Sequence, residues 1–149
     1  MPVLYLMCGL PCSGKTTLAR SLERDLGALR LCPDEWLTRI VGDGRDDAKR
    51  AIVEAVQWEV AARALALGLD VILENGFWSR TERDDYRRRA KAAGADTKVH
   101  FLDVKQDELQ RRLQLRNAAL PTDTFYVTPA ELDLWWTWFE PPTPEELAI

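Results

Sequence analysis

The segment Gly9-Leu10-Pro11-Cys12-Ser13-Gly14-Lys15-Thr16-Thr17 constrains this chain more than any other, because it fills every fixed position of G-x-x-x-x-G-K-[ST]. The β-type apolar run Val3-Leu4-Tyr5-Leu6-Met7 precedes it. Leu18, Leu22 and Leu26 recur behind it at helical spacing until Gly27. Strand, glycine-rich turn and helix form the context in which such a loop binds phosphate. Gly9 and Gly14 let the backbone fold so that amides of the loop point inward at phosphate oxygens. The N-terminus of the following helix adds partial positive charge at the same place. A nucleoside triphosphate is therefore expected to lie against Gly9, Pro11, Cys12, Ser13, Gly14, Lys15, Thr16 and Thr17. Lys15 would reach the β- and γ-phosphates, and the Thr16 hydroxyl would hold Mg²⁺.

Composition narrows the choice. A chain of 149 residues predicts one domain over residues 1–149, with enough apolar content to bury a core. Acidic residues number 24 against 20 basic ones, a net charge of −4, which argues against a nucleic-acid partner. Cys8, Cys12 and Cys32 are odd in number and lack zinc-type pairing, so a reduced, cytoplasmic setting is expected. No basic n-region precedes the apolar N-terminus, and no apolar run approaches the ~20 residues of a membrane span.

Strand and helix signals alternate along the chain. A short apolar piece at 28–32 leads to a turn at Pro33-Asp34. A long helix is expected over about 46–67, with Val53, Val56, Val60, Ala64 and Leu67 as its buried stripe. Asp70 to Glu74 reads as a buried strand. Ser79 and Glu82 form a capping-box pattern opening a helix that stops at Gly94. Lys98 to Val104 reads as another strand, followed by a helix over about 107–118. Thr128-Pro129-Ala130-Glu131 opens a last helix, which the proline-rich tail ends. This alternation predicts a three-layer α/β fold, its mostly parallel sheet covered by helices on both faces. Ligands should collect at the carboxyl ends of the strands.

Two further sites carry chemistry. Asp34 follows the second strand at the rim that faces the triphosphate. A carboxylate there can take the proton of an attacking hydroxyl; the alternative is that it caps the next helix. Arg112 and Arg116 share one helix face beside Leu109 and Leu113. They can swing over the phosphates and neutralise charge in the transition state; the alternative is a solvated basic face. Trp135, Trp138 and Phe139 share a helical face that reads first as core, and His100 reads as structural. Cys12, inside the anion-binding loop, is expected to favour its thiolate.

In order, these sites resemble the small P-loop kinases related to phage polynucleotide 5′-kinase, chloramphenicol phosphotransferase and the zeta toxins, many of them classed as AAA-type ATPases. The resemblance covers about residues 1–118. It implies that Asp34 matches the general base, that Arg112 and Arg116 match lid arginines, and that Arg116 is the better supported of the two. By the same resemblance Glu74, rather than Asp103, holds Mg²⁺ through water, and a late segment including Phe139 and Pro141 flanks the adenine. Polynucleotide kinases carry an arginine three residues after the aspartate, where this chain has Leu37. Trp36, Phe77 and Trp78 stand nearby in sequence and suit an apolar or ring-bearing acceptor.

The function expected is an ATP- and Mg²⁺-dependent phosphotransferase acting on a hydroxyl of a small-molecule or nucleotide-like acceptor. A polynucleotide 5′-hydroxyl kinase is the first alternative. A nucleotide-hydrolysing switch without an acceptor is the second.

Overall fold

The computed structural model describes residues 1–148. Strand β1 (Val3–Cys8) is buried along almost its whole length, as a central strand of a parallel sheet must be. It pairs in parallel with β3 (Val71–Gly76) on one side and β4 (Asp96–Phe101) on the other. Strand β2 (Leu29–Leu31) extends the sheet beyond β3, giving four parallel strands in the order β2-β3-β1-β4.

Alternation along β1 divides the core. Leu4, Leu6 and Cys8 face one side with Leu73, Ala61, Leu65 and Tyr86, which belong to β3, α3 (Asp47–Ala66) and α4 (Arg80–Ala92). Tyr5 and Met7 face the other side, against Ala19 and Leu18 of α1 (Lys15–Leu26). Helices on both faces follow directly from that two-sided burial. A third cluster, Leu10, Leu109, Leu113, Val127 and Leu132, ties α5 (Gln106–Ala118) and α6 (Pro129–Trp138) to the phosphate loop.

Local chemistry sets several ends. Gly27 stops α1 in the left-handed region at φ 64°. Thr128 and Glu131 complete a reciprocal capping box on α6. At α4 only half of the expected box forms: Ser79 accepts from the Glu82 amide, without the return bond. The stretch after Cys32 is a helix, α2 (Pro33–Ile40), with Cys32 at the N-cap and Pro33 in the first turn.

Two expectations are corrected. The buried stripe of α3 is Val53, Gln57, Ala61, Ala64 and Leu65, whereas Val56, Val60 and Leu67 face outward. On α6, Trp138 is exposed and Leu132 is the buried anchor. The proline-rich tail also continues into a one-turn helix, α7 (Pro144–Leu147), with its own capping box. No helix among the described residues is long and apolar enough to cross a membrane.

Candidate active site

The phosphate loop leaves β1 at Cys8 and enters α1 at Lys15. Cys12 at φ 68° and Gly14 at φ 97° take left-handed conformations, which fold the loop into a cradle. The Lys15 ammonium is turned back onto the loop, donating to Gly9 O at 3.0 Å and Leu10 O at 2.9 Å. Burial pushes its pKa below the ordinary value, against the pull of Asp34 and Glu74.

A cavity of about 630 Å³ opens in front of this cradle. Its walls hold Pro11, Cys12 and residues 14–17 of the loop, Asp34 and Glu35 of α2, Glu74 of β3, and Arg112 and Arg116 of α5. Gly9 and Ser13, also expected at the phosphates, do not line it. These residues are far apart in sequence, and the carboxyl ends of the strands bring them together as parallel topology requires.

Asp34 occupies the second helical position of α2 rather than the cap. Its Oδ1 accepts from Arg50 Nη2 at 2.5 Å, and the same nitrogen donates to Gly44 O at 3.1 Å. On the opposite wall, Arg112 donates to Glu108 at 3.0 Å and to Cys12 O at 3.2 Å. Arg116 donates to Phe125 O at 3.0 Å, while its buried Nε has no partner.

The Thr16 hydroxyl donates to Glu74 Oε1 at 2.7 Å. That bond commits the hydroxyl proton and leaves the oxygen lone pairs free, so Thr16 and Glu74 fit an Mg²⁺ ion carried by a nucleotide. Arg30 donates to the other Glu74 oxygen, and to both Glu35 oxygens at 2.9 Å. Burial works against the Arg30 charge, yet the two carboxylates outweigh it and hold its pKa above the ordinary value. Asp103 lies elsewhere, on a second cavity of about 400 Å³ that also holds Phe139 and Pro141.

No local pattern marks Arg30, Arg50 or Phe125, whose partners lie on other elements. Phe125 belongs to a segment, 121–125, that lines the cavity. Its ring fills the space beside Gly44, where a Cβ would not fit, and the Arg50 guanidinium stands 5.9 Å from its centroid. Arg45 fastens the same segment, donating to Tyr126 O at 3.0 Å and pairing with Glu131.

Four expectations about side chains fail. Phe77 is fully buried and packs edge-on against Tyr86 at 5.0 Å. Trp78 lies tilted against Trp135 and donates to Gly9 O, and Trp36 packs against the core, so none of the three lines the main cavity. Cys12 does line it, but burial pushes its thiol pKa up by more than Arg116, Lys15 and Arg112 pull it down. His100 stacks on Tyr5 at 5.5 Å, as a structural residue would.

The model of a family described as AAA domain matches residues 4–142. None of the curated proteins matches the chain in sequence. Among solved structures, a candidate kinase from Chloroflexus aurantiacus J-10-fl superposes with a TM-score of 0.75 at 24% identity, covering 96% of this chain and 83% of that one. A chain of the Pnkp1/Rnl/Hen1 RNA repair complex gives a TM-score of 0.77 at 19% identity, covering 92% of this chain but 43% of that one. A gluconokinase from Sinorhizobium meliloti 1021 gives a TM-score of 0.67 at 18% identity, covering 97% and 78%. At such identities the likeness carries the fold. This chain belongs to the AAA domain family and has the α/β fold of the small P-loop kinases.

Proposed function

We propose that the protein is an ATP-dependent kinase that moves the γ-phosphate to a hydroxyl of a small-molecule or nucleotide-like acceptor. One observation carries this reading: a carboxylate and two arginines from separate elements share one cavity with the phosphate loop. Hydrolysis would ask only for a positioned water. An aspartate opposite two arginines suits an acceptor hydroxyl that must lose its proton while charge spreads over the departing phosphoryl oxygens.

The loop amides and the helix dipole of α1 bind the triphosphate, with Lys15 swinging from its carbonyl partners to the phosphates. Thr16, with Glu74 behind it, would hold an Mg²⁺ ion carried by the nucleotide, which would supply positive charge against the phosphates. Asp34 accepts the acceptor's proton as its oxygen attacks phosphorus. Arg112 and Arg116 stabilise the charge on the equatorial oxygens. Phe139 and Pro141, which line the second cavity, are the residues we assign to the adenine.

The polynucleotide alternative keeps one supporting feature. Leu37 is fully buried, but Arg50 brings a guanidinium to Asp34 from α3. A phosphate beside the acceptor hydroxyl would find a partner there.

The test is transfer from γ-labelled ATP to three acceptor sets: oligonucleotides, nucleosides and hydroxylated metabolites. Label on a nucleoside or metabolite supports the proposal. Label on oligonucleotide ends alone moves the assignment to a polynucleotide kinase, and release to water alone makes the protein a hydrolase.

A further inference from the structure

Helix α3 carries an outward face that the other described residues leave exposed. Ile52 is 57% exposed, Val56 43%, Val60 37% and Leu67 80%. Ile52, Val56, Glu59, Arg63 and Ala66 follow one another at intervals of four, three, four and three, the spacing of a two-helix seam. At 20 residues the helix is about 30 Å long, enough for such a seam.

Charge in the middle of that face is the informative feature. Glu59 and Arg63 are exposed, four residues apart and in the order that favours a pair along one helix. Other helices close their own pairs at that spacing: Arg80 with Asp84 at 3.2 Å, and Arg112 with Glu108 at 3.0 Å. Among the described residues, neither the Glu59 nor the Arg63 side chain makes a hydrogen bond or an ion pair.

We propose that α3 is the face on which two copies of this chain pair antiparallel, Glu59 of each opposite Arg63 of the other. A two-fold axis midway between these positions makes the contact self-complementary, as an isologous interface must be. It sets Val56 against Ala66 and Ala55 against Leu67, large side chains facing small ones, and brings Ile52 toward Leu69. A parallel pair would instead set Glu59 against Glu59 and Arg63 against Arg63, which like charges forbid. Charge therefore fixes both the orientation and the register. No residue of α3 lines the nucleotide cavity.

The measurement is the mass of the full chain in solution across a concentration series, by sedimentation or light scattering. A species of twice the monomer mass is expected. Glu59→Arg and Arg63→Glu, each alone, should weaken it by about tenfold or more. The doubly reversed protein should restore it, since the same ion pairs re-form with their signs exchanged. Both positions are exposed, so circular dichroism should show every variant folded. A monomeric wild type at all concentrations, single reversals that leave the dimer intact, or a double reversal that fails to restore it would each overturn the proposal.

Discussion

At the scale of single residues, Asp34 lines the cavity while its Oδ1 accepts from Arg50, 16 positions along the chain, a contact that no local pattern marks. Asp34→Asn keeps the shape and removes the proton acceptor. Phosphoryl transfer should fall by about 10²–10⁴-fold while nucleotide affinity survives, measured by single-turnover kinetics beside a binding titration. An unchanged rate would reduce Asp34 to a structural partner of Arg50. Glu54, one turn beyond Arg50, gives a second test. Burial, with the negative charges of Glu82 and Asp34, raises its pKa from 4.5 to about 7, against the pull of Arg50. A carboxyl raised in the folded state binds its proton more tightly there than in the unfolded chain. The fold therefore loses stability as pH rises from about 4.5 to about 7. Glu54→Gln should raise the melting temperature relative to wild type at pH 8, and that advantage should disappear near pH 4.

At the scale of elements, existence was easier to read than facing. The α3 segment was plain from its length and Gly68, but its inward face was misassigned by sequence. Valines and alanines occur all around this helix, so hydrophobic spacing alone does not choose a side. Packing chooses the alanine-rich side, where Ala61 and Ala64 allow the helix to approach the sheet. The terminal turn α7 was hidden by its prolines, although Thr143 and Glu146 spell the same capping box that located α6. Its purpose appears only in three dimensions. Arg83, fully buried on α4, donates to Glu146 at 2.8 Å and to Phe77 O at 2.8 Å. Burial opposes the charge on Glu146, yet Arg83, the Thr143 amide and Arg87 outweigh it and hold its pKa at about 2. Breaking such a pair from one side costs about 3–5 kcal/mol, because the other charge is left buried. Arg83→Met should thus lower the melting temperature by about 6–20 °C in a domain of this size. The sign with pH is opposite to that of Glu54. Glu146 is depressed in the folded state, so its contribution is complete above pH 4.5 and is lost as pH falls toward about 2. A melting-temperature profile measured from pH 6 to pH 2 should be flatter in Glu146→Gln than in wild type.

At the scale of the whole molecule, alternating strands and helices predicted the layered sheet correctly, since each parallel connection must cross a face. The sequence did not indicate how the cavity closes. Segment 121–125 lies across it, tied to α5 through Arg116 and to the loop before α3 through Gly44 and Arg45. These contacts join distant parts of the chain and have no local signature. A nucleotide in the cavity would touch the phosphate loop, Glu74 and the two arginines at once, bracing the first and last thirds of the chain against each other. Binding should then act on the global unfolding transition. At a hundredfold excess over the dissociation constant, ligand adds about 2.7 kcal/mol of stability. For a domain of this length that is a rise of roughly 5–10 °C in melting temperature. A non-hydrolysable ATP analogue with Mg²⁺ should produce this shift in wild type, and Lys15→Ala should reduce or abolish it. Arg116→Ala separates binding from catalysis. Its charge is wanted most as the phosphoryl group departs, so its thermal shift should stay near the wild-type value while transfer falls by a much larger factor. An Arg116→Ala protein that loses the thermal shift in proportion to its rate would make Arg116 a ground-state nucleotide contact, and the transition-state role would pass to Arg112.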